Sequence, residues 1–536
     1  MNHLNIIIKL AIIGSAIAMA CFRKRPIAMP QWLRRFVRRQ NLTVAAVALL
    51  AFAVSAANTA LNLRPPFVHD EFSNLLQAET FAAGRLTNPT HPMWEHFESF
   101  HIIQQPTYAS KYPPARSALL ALGIVAGGHP IVGSWIAMAL AAAACCWMFY
   151  GWVPARWAAL GGFLMALHPT IQNEWAQTYM GGLVPVAGAS MVYGALPRLL
   201  RDSNWKTSVV LAWGVMLLAN CRPYEGLISS LPIAAVLSLH FGRRLKLNWR
   251  RDLKQVVLPV VFVVLAVGVW MACYNQAITG HSTTMPYQVY EHTYGMYYTF
   301  LWDAPREVPP YRHAVMRDFY TGWVGNKYNS QRTLAGFCKY KGDHIAFAID
   351  FYLGKLLIVP LLFAIPTIWS RTWMRFLALC LCISLAGSLV VVWLNPRYLA
   401  TVLPIVLLFV VQGLRRIRQC GGRHKANGQM FLAAFIGLFL LSTAEAVAKH
   451  ARLQPQKYSY QRAAMLKELQ ADELRDLVIV TYGPDHDTLA EWVYNAADID
   501  AATVVWARDM GREKNQELID YFKERRVCGL FADEVP

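Results

Sequence analysis

A succession of apolar runs, each near the length of a bilayer crossing, constrains this chain more than any other feature. The runs fall at roughly 41–61, 130–150, 157–170, 179–197, 207–220, 224–241, 256–273, 355–370, 376–394, 398–414 and 429–448. A perpendicular helical span needs ~20 apolar residues, so the shorter runs leave their boundaries loose. Charged residues make up 15% of the chain, against about 25% in an ordinary soluble domain. The expected core is an all-α polytopic membrane domain with about 11 transmembrane helices. Residues 4–22 are also apolar, but Arg23-Lys24-Arg25 follow them, which puts the charges on the wrong side for a signal peptide. That stretch is either one extra span or sequence ahead of a start at Met29.

The formal net charge of +19 would suggest a nucleic-acid partner in a soluble chain. Here the membrane distributes it. The short connections 23–40, 198–206, 243–254 and 415–425 are dense in Lys and Arg, whereas the two long ones, about 62–129 and 274–354, are sparse. Basic residues accumulate on the cytoplasmic side. The long loops and the tail are therefore expected outside, periplasmic in a bacterial cell, in a multi-pass protein of the inner (plasma) membrane; nucleic acid is excluded. The expected organisation is 1–40 as an extra hydrophobic segment and basic cytoplasmic stretch, 41–448 as the transmembrane domain, and 449–536 as an external domain. Residues 115–127 suit a short span or a helix lying at the outer interface.

The tail changes character. Leu477–Tyr482, Thr503–Trp506 and Val527–Phe531 have the β-branched alternation of strands. Leu489–Ala497 and Asn515–Arg526 have helical spacing between them. This alternation predicts a small C-terminal α/β domain with a parallel sheet.

Residues with chemistry gather in the connections expected outside. Asp70 and Glu71 follow the first span directly, within Val68-His69-Asp70-Glu71-Phe72. Charge beside a membrane is costly unless it is solvated, paired or used. One reading is that a carboxylate caps a helix starting near Phe72. The other is a general base that takes a proton from a hydroxyl, with the neighbouring carboxylate orienting it or holding a metal. Cations lie at the outer ends of spans: Lys111 and Arg116 flank Tyr112-Pro113-Pro114, Arg222 precedes Pro223-Tyr224-Glu225, and Arg397-Tyr398 follow Asn395-Pro396. Singly such residues are usual membrane anchors. Together they are candidates to hold a phosphate through Arg forks, with Lys111 as a third cation. His69, His91, His96, His101, Asn173, Glu174 and His292 belong to the same face. None has a defined zinc spacing, so no metal site is assigned and a divalent cation stays a minor possibility. Cys145, Cys146, Cys380 and Cys382 lie inside apolar runs and do not form a disulfide framework. The aromatic residues Tyr287, Tyr290, Tyr294, Tyr297, Tyr298 and Trp302 suit either sugar stacking or an interfacial belt.

In its spans, its acidic pair in the first external loop, the Lys111-Tyr112-Pro113-Pro114 that ends that loop and the Arg397-Tyr398 before a late span, the chain resembles the GT-C superfamily glycosyltransferases. These include the protein O-mannosyltransferases and the aminoarabinose–lipid A transferases. The resemblance covers roughly 41–415. It implies a sugar donor carried on a polyprenyl phosphate, an acceptor lipid, glycan or protein, and Asp70 as the catalytic residue with Glu71 beside it. It implies no certain cofactor. The family's Tyr soon after the acidic pair is missing: Phe72 follows, and no Tyr occurs until Tyr108.

The chemistry suits that implication. A leaving phosphate gains charge, which fixed cations stabilise. An acceptor hydroxyl loses its proton, which a carboxylate accepts. Direct displacement inverts the anomeric carbon. The expected pocket adds His69, Tyr112, Glu174, Tyr224, Glu225, Tyr290, His292 and Tyr398. A transporter or flippase for a lipid-linked or anionic substrate competes with this reading, but such proteins place charges mid-membrane and often show two similar halves. This chain has few mid-span charges and no evident half-repeat. A glycan polymerase or ligase would share the lipid-linked donor and the external loops. In the tail, the strand ends run into Asp485-His486, Arg508 and Asp533, which a parallel sheet gathers on one edge. That edge would bind an acceptor glycan or dock onto the membrane domain; alternatively, Asp485 only caps a helix.

Overall fold

The computed structural model describes residues 29–296, 299–419, 425–452, 457–472 and 474–535, with a few positions between 9 and 15. Most of the N-terminal apolar stretch, Tyr297, Tyr298 and part of the segment before the tail lie outside the described residues. Among the described residues, nine helices are long and apolar enough to cross a membrane, and two shorter apolar ones, Ala115–Gly127 and Trp205–Ala219, accompany them.

Each apolar run from 41 onward contains a helix, but 157–170 and 207–220 give only Ala155–Ala166 and Trp205–Ala219, so nine candidate spans stand among the described residues where about 11 were expected. Leu183–Arg201 and Leu403–Gln419 are buried along most of their length and form the centre. Leu258–Thr279 turns Phe262, Leu265 and Val269 outward, as a helix facing lipid does. Small residues set the closest approaches: a Cβ on Gly413 would sit 1.6 Å from the carbonyl oxygen of Pro360. Ala155–Ala166 has only 12 residues, and Pro169–Glu174 follows as a separate short helix capped by His168. The last loop ends differently from its sequence reading. Helix continues from Leu334 to Ser370 across a kink at Gly354, whose φ of 49° is a left-handed conformation natural to glycine.

The two long connections are folded structures. The first carries His69–Ala82, a three-stranded antiparallel sheet (Asn88–Pro89, Thr107–Ser110, Ile102–Ile103, in that order) and Ala115–Gly127. The second carries Pro286–Tyr294 and a helical stretch from Ala314 to Ser330. They pack on each other through Phe100, Ile103, Tyr290, Tyr294, Met316 and Phe319.

In the tail, Asp476–Thr481 is the central strand, with Val504–Arg508 and Arg526–Phe531 parallel on either side. Arg512–Tyr521 is the helix near the predicted second one. Leu489–Ala497 is not helical, against the expectation from its spacing. Side chains take over its backbone partnering: Asn495 accepts from the backbone N–H of Trp506 and donates to that residue's carbonyl, both at 2.8 Å. Glu491 accepts from the N–H of Val493 at 2.7 Å. These bonds hold the segment extended beside the sheet, a competition that polar side chains often win against helix. A further helix, Lys457–Leu469, precedes the sheet.

The tail is docked on the first connection. Phe72 stacks on Tyr494 with ring centroids 4.0 Å apart, and Leu76, Phe97 and Tyr108 share an apolar cluster with Leu477, Val505 and Leu518. Around that contact, His91 meets Asp500 at 3.1 Å, Lys514 meets Glu95 at 2.5 Å, and Ala497 donates its N–H to Glu79 at 3.1 Å.

Candidate active site

The helix His69–Ala82 begins three residues earlier than a start at Phe72, with Val68 as its extended N-cap. Asp70 and Glu71 therefore lie within the first turn, where a helix favours negative charge. Neither is the cap residue. One turn of helix sends the two carboxylates in different directions.

Asp70 points to the loop side and its side chain is 37% exposed. Tyr112 donates its hydroxyl to Asp70 Oδ1. His101 Nε2 lies 3.4 Å from the same oxygen. Oδ2 has no hydrogen-bond partner among the described residues. Burial, then the Asp70 charge, push the Tyr112 phenol well above its usual range, so it stays a donor. Burial holds His101 well below the usual imidazole range, with the Lys111 charge adding to the effect.

His101 is held in a left-handed conformation, φ 64°, which is uncommon outside glycine. Three bonds fix it there: its N–H donates to Tyr290 Oη (2.7 Å), and its carbonyl accepts from Ser73 (2.6 Å) and from the N–H of Lys111 (3.1 Å). Backbone strain of this kind persists only where the surroundings over-determine it.

Glu71 points inward and is buried. Its two oxygens accept the N–H groups of Phe67 (3.0 Å) and Tyr179 (2.9 Å). Burial raises its pKa, against those bonds and the charge of Arg397. Arg116 backs the same turn, donating to the carbonyl of Thr178 at 2.7 Å and to Ser134 at 2.7 Å. Glu71 thus ties the Asp70 helix to the 178–179 turn.

The cations converge in part. The guanidinium of Arg222 lies 4.2 Å from the ring centroid of Tyr398. Tyr398 in turn feels the charges of both Arg222 and Asp70. Arg397 acts on Glu71 and makes no side-chain hydrogen bond among the described residues. Glu225 faces Arg222. Lys111 is in the same cluster but already occupied: its Nζ is 3.0 Å from Glu291 and 4.4 Å from the Tyr290 ring centroid, with Tyr287 and Tyr112 on other sides.

Several sequence candidates are placed elsewhere. Glu174 stands beside Arg64 at 3.8 Å, 47% exposed, with no contact to Asp70. Tyr224 donates to the carbonyl of Gly387 at 2.9 Å, which joins two spans. His292 is exposed, on the opposite side of its helix from the Tyr287, Tyr290 and Glu291 face that meets Lys111. Tyr290 is fully buried. His69 turns toward the tail: its ring stacks on Phe100 at 4.2 Å and lies 6.4 Å from that of Tyr494. Burial lowers its pKa to about 4.

In the tail, the strand ends do gather. Asp533 accepts from the N–H of Gly483 (2.8 Å) and from His486 Nδ1 (2.7 Å), and Asp509 accepts from Thr481 (2.8 Å). Arg508 is not on that open edge. It is buried, 2.6 Å from the buried Glu491, and donates to the carbonyl of Glu98 at 2.7 Å. It is a docking residue. Asp485 is exposed and precedes no helix, so it caps none.

Sequence reasoning named His101, Arg116 and Tyr287 within wider groups without giving them these positions, and it did not single out Glu291. Among the described residues, no group of three or more His, Cys, Asp or Glu side chains draws together as metal ligands.

This helical bundle, with its acidic helix start, folded connections and α/β tail, is a fold found among solved structures. The chain aligns with the crystal structure of ArnT from Cupriavidus metallidurans bound to undecaprenyl phosphate over 94% of its own length and 90% of that chain, with a TM-score of 0.52 and 14% identity. It also aligns with the Archaeoglobus fulgidus oligosaccharyltransferase tethered to an acceptor peptide containing the NVT sequon, over 86% of its own length and 63% of that chain, with a TM-score of 0.49 and 11% identity. No family model and no curated protein sequence matches the chain.

Proposed function

We propose that this protein is a membrane glycosyltransferase that moves a sugar from a polyprenyl-phosphate donor to an acceptor hydroxyl at the external face of the membrane, with inversion. The observation that carries the reading is Asp70: one oxygen fixed by Tyr112, the other unpartnered, with Arg222 and Arg397 approaching the same turn through Tyr398 and Glu71. In this reading the acceptor O–H gives its proton to Asp70 Oδ2 as its oxygen attacks the anomeric carbon. The bond from that carbon to the phosphate oxygen breaks, and the electron pair leaves with the phosphate. Arg222 and Arg397 stabilise the added charge, a term that grows along the reaction. Tyr112 and His101 keep Asp70 in one rotamer, and His101 does so as a neutral ring. Glu71 orients the helix turn and does not touch the reacting atoms.

The lipid chain of the donor would lie among the spans. The positive-inside pattern supports an orientation with the two long loops and the 449–536 tail outside, in an inner or plasma membrane. The acceptor is a lipid, glycan or protein, and the tail supports the loop that carries Asp70. A transfer assay on the purified protein, with a panel of polyprenyl-phosphate sugars, tests the reading. Release of free polyprenyl phosphate from one member is the expected result. No release from any, together with movement of intact lipid-linked sugar between leaflets of a vesicle, would favour the flippase.

A further inference from the structure

A cavity of about 660 Å³ opens between the two external connections. It is not the Asp70 cluster, although Tyr290 forms part of its wall and joins the two. The Tyr290 hydroxyl accepts the N–H of His101, whose ring reaches Asp70.

The wall has a particular chemistry. Trp94 presents aromatic surface, and the buried Tyr290 and Tyr294 line the inner wall. Gln105 brings an exposed amide, whereas Gln104 is buried, with its Nε2 donating to the carbonyl of Phe97 at 2.6 Å. Arg312 lies over Trp94 at 4.6 Å and is paired with Glu98 at 3.3 Å and Glu95 at 3.2 Å. Rings offer an apolar face to the C–H groups of a pyranose, and the Gln105 amide and the Arg–carboxylate pair offer both donors and acceptors to its hydroxyls. The Arg312 charge is already balanced by the two carboxylates. An anionic ligand would therefore meet Glu98, and a cationic one Arg312. The volume falls in the range of small-ligand sites, about 300–1,000 Å³, and suits a few sugar rings rather than one.

We infer that this cavity is a binding site for a neutral, hydroxyl-rich oligosaccharide, the glycan part of an acceptor held beside Asp70. Its role in transfer rests on the glycosyltransferase reading; its ligand class rests on the wall alone. A glycan bound there is held by rings and the Gln105 amide while its growing end reaches toward the His101 side of Tyr290. The cost of orienting the acceptor is then met away from the reacting atoms.

The test is saturation-transfer NMR on the full-length protein in lipid nanodiscs, with maltotriose, cellotriose, mannotriose and N,N′,N″-triacetylchitotriose as neutral probes and trigalacturonate as the acidic one. At least one neutral trisaccharide should bind with a Kd of ~1 mM or tighter, and trigalacturonate about tenfold more weakly or not at all. Thr293 is exposed on the rim, and Thr293→Trp fills the opening. It should weaken the neutral probe at least about tenfold while hydrolysis of lipid-linked donor by water and the thermal midpoint stay as in wild type. Gln105→Trp enters from the opposite wall and decides the matter if Thr293→Trp does not fold. Failure of all four neutral probes to bind below ~10 mM overturns the proposal. Trigalacturonate binding more tightly than all of them, or undiminished binding in the filled cavity, overturns it equally. The binding assay contains no donor and the hydrolysis assay contains no saccharide, so loss of one leaves the other reading standing.

Discussion

Asp70→Asn is the sharpest perturbation the site offers. The substitution keeps the shape and leaves Tyr112 an oxygen to donate to, but removes the charge and the basic lone pair. Two losses of stability follow from the structure. The helix start loses a first-turn charge worth 0.3–1 kcal/mol, roughly, and the Tyr112 bond becomes neutral, a change of about 1 kcal/mol. The side chain is more than a third exposed, which reduces both. Folding should therefore weaken by about 1 kcal/mol in total. Turnover should fall far more. Loss of a general base removes ~10²–10⁴ in rate, about 2.7–5.4 kcal/mol of transition-state stabilisation. Release of polyprenyl phosphate, followed with a donor that the wild type uses, gives the rate; thermal unfolding in the same nanodiscs gives the stability. Activity within about threefold of wild type would refute the assignment of Asp70. So would a loss of activity that simply tracks a large fall in thermal midpoint.

Other expectations follow from neighbouring contacts. Arg222→Lys and Arg397→Lys keep the charge but lose the planar fork, so the Kd for undecaprenyl phosphate, measured by competition, should rise about tenfold for each; an unchanged affinity in both would remove them from the phosphate site. Arg508→Met leaves Glu491 buried without its cation and should cost about 3–5 kcal/mol of stability and expose the tail to protease, with Glu491→Gln partly restoring it. A limited-proteolysis pattern identical to wild type would show that the pair does not hold the tail. His69 has a folded pKa of about 4, pushed down by burial, below an unfolded value of 6.5. The unfolded chain thus binds the extra proton first as pH falls. Its contribution is complete above pH 6.5 and is lost between 6.5 and about 4, up to about 3 kcal/mol. The stability difference between wild type and His69→Asn should shift over that window, and a constant difference would contradict the buried neutral ring.

The sequence by itself determined the succession of apolar helices, because hydropathy along a run is a local property, although two of the expected runs gave helices too short to count among the nine. It also determined the three parallel strands of the tail, where β-branched alternation and buried partners agree. Asp70 stood out for a similar local reason: a carboxylate just beyond an apolar run is unusual wherever it ends up. The remainder was decided by contacts between segments far apart in the chain. The helical spacing of Leu489–Ala497 yielded to Asn495 bonds with Trp506, which no local window contains. Arg508 looked like a strand-end ligand and became a buried tie to Glu491 and Glu98. Phe72, where the GT-C resemblance leads one to expect a Tyr soon after the pair, stacks on Tyr494, more than four hundred residues later, and so serves the docking of the tail. Adjacent in sequence, Asp70 and Glu71 are chemically alike, and only the fold separates them. Consecutive residues on a helix point about 100° apart, so one carboxylate reaches the loops and the other meets two backbone N–H groups in the interior.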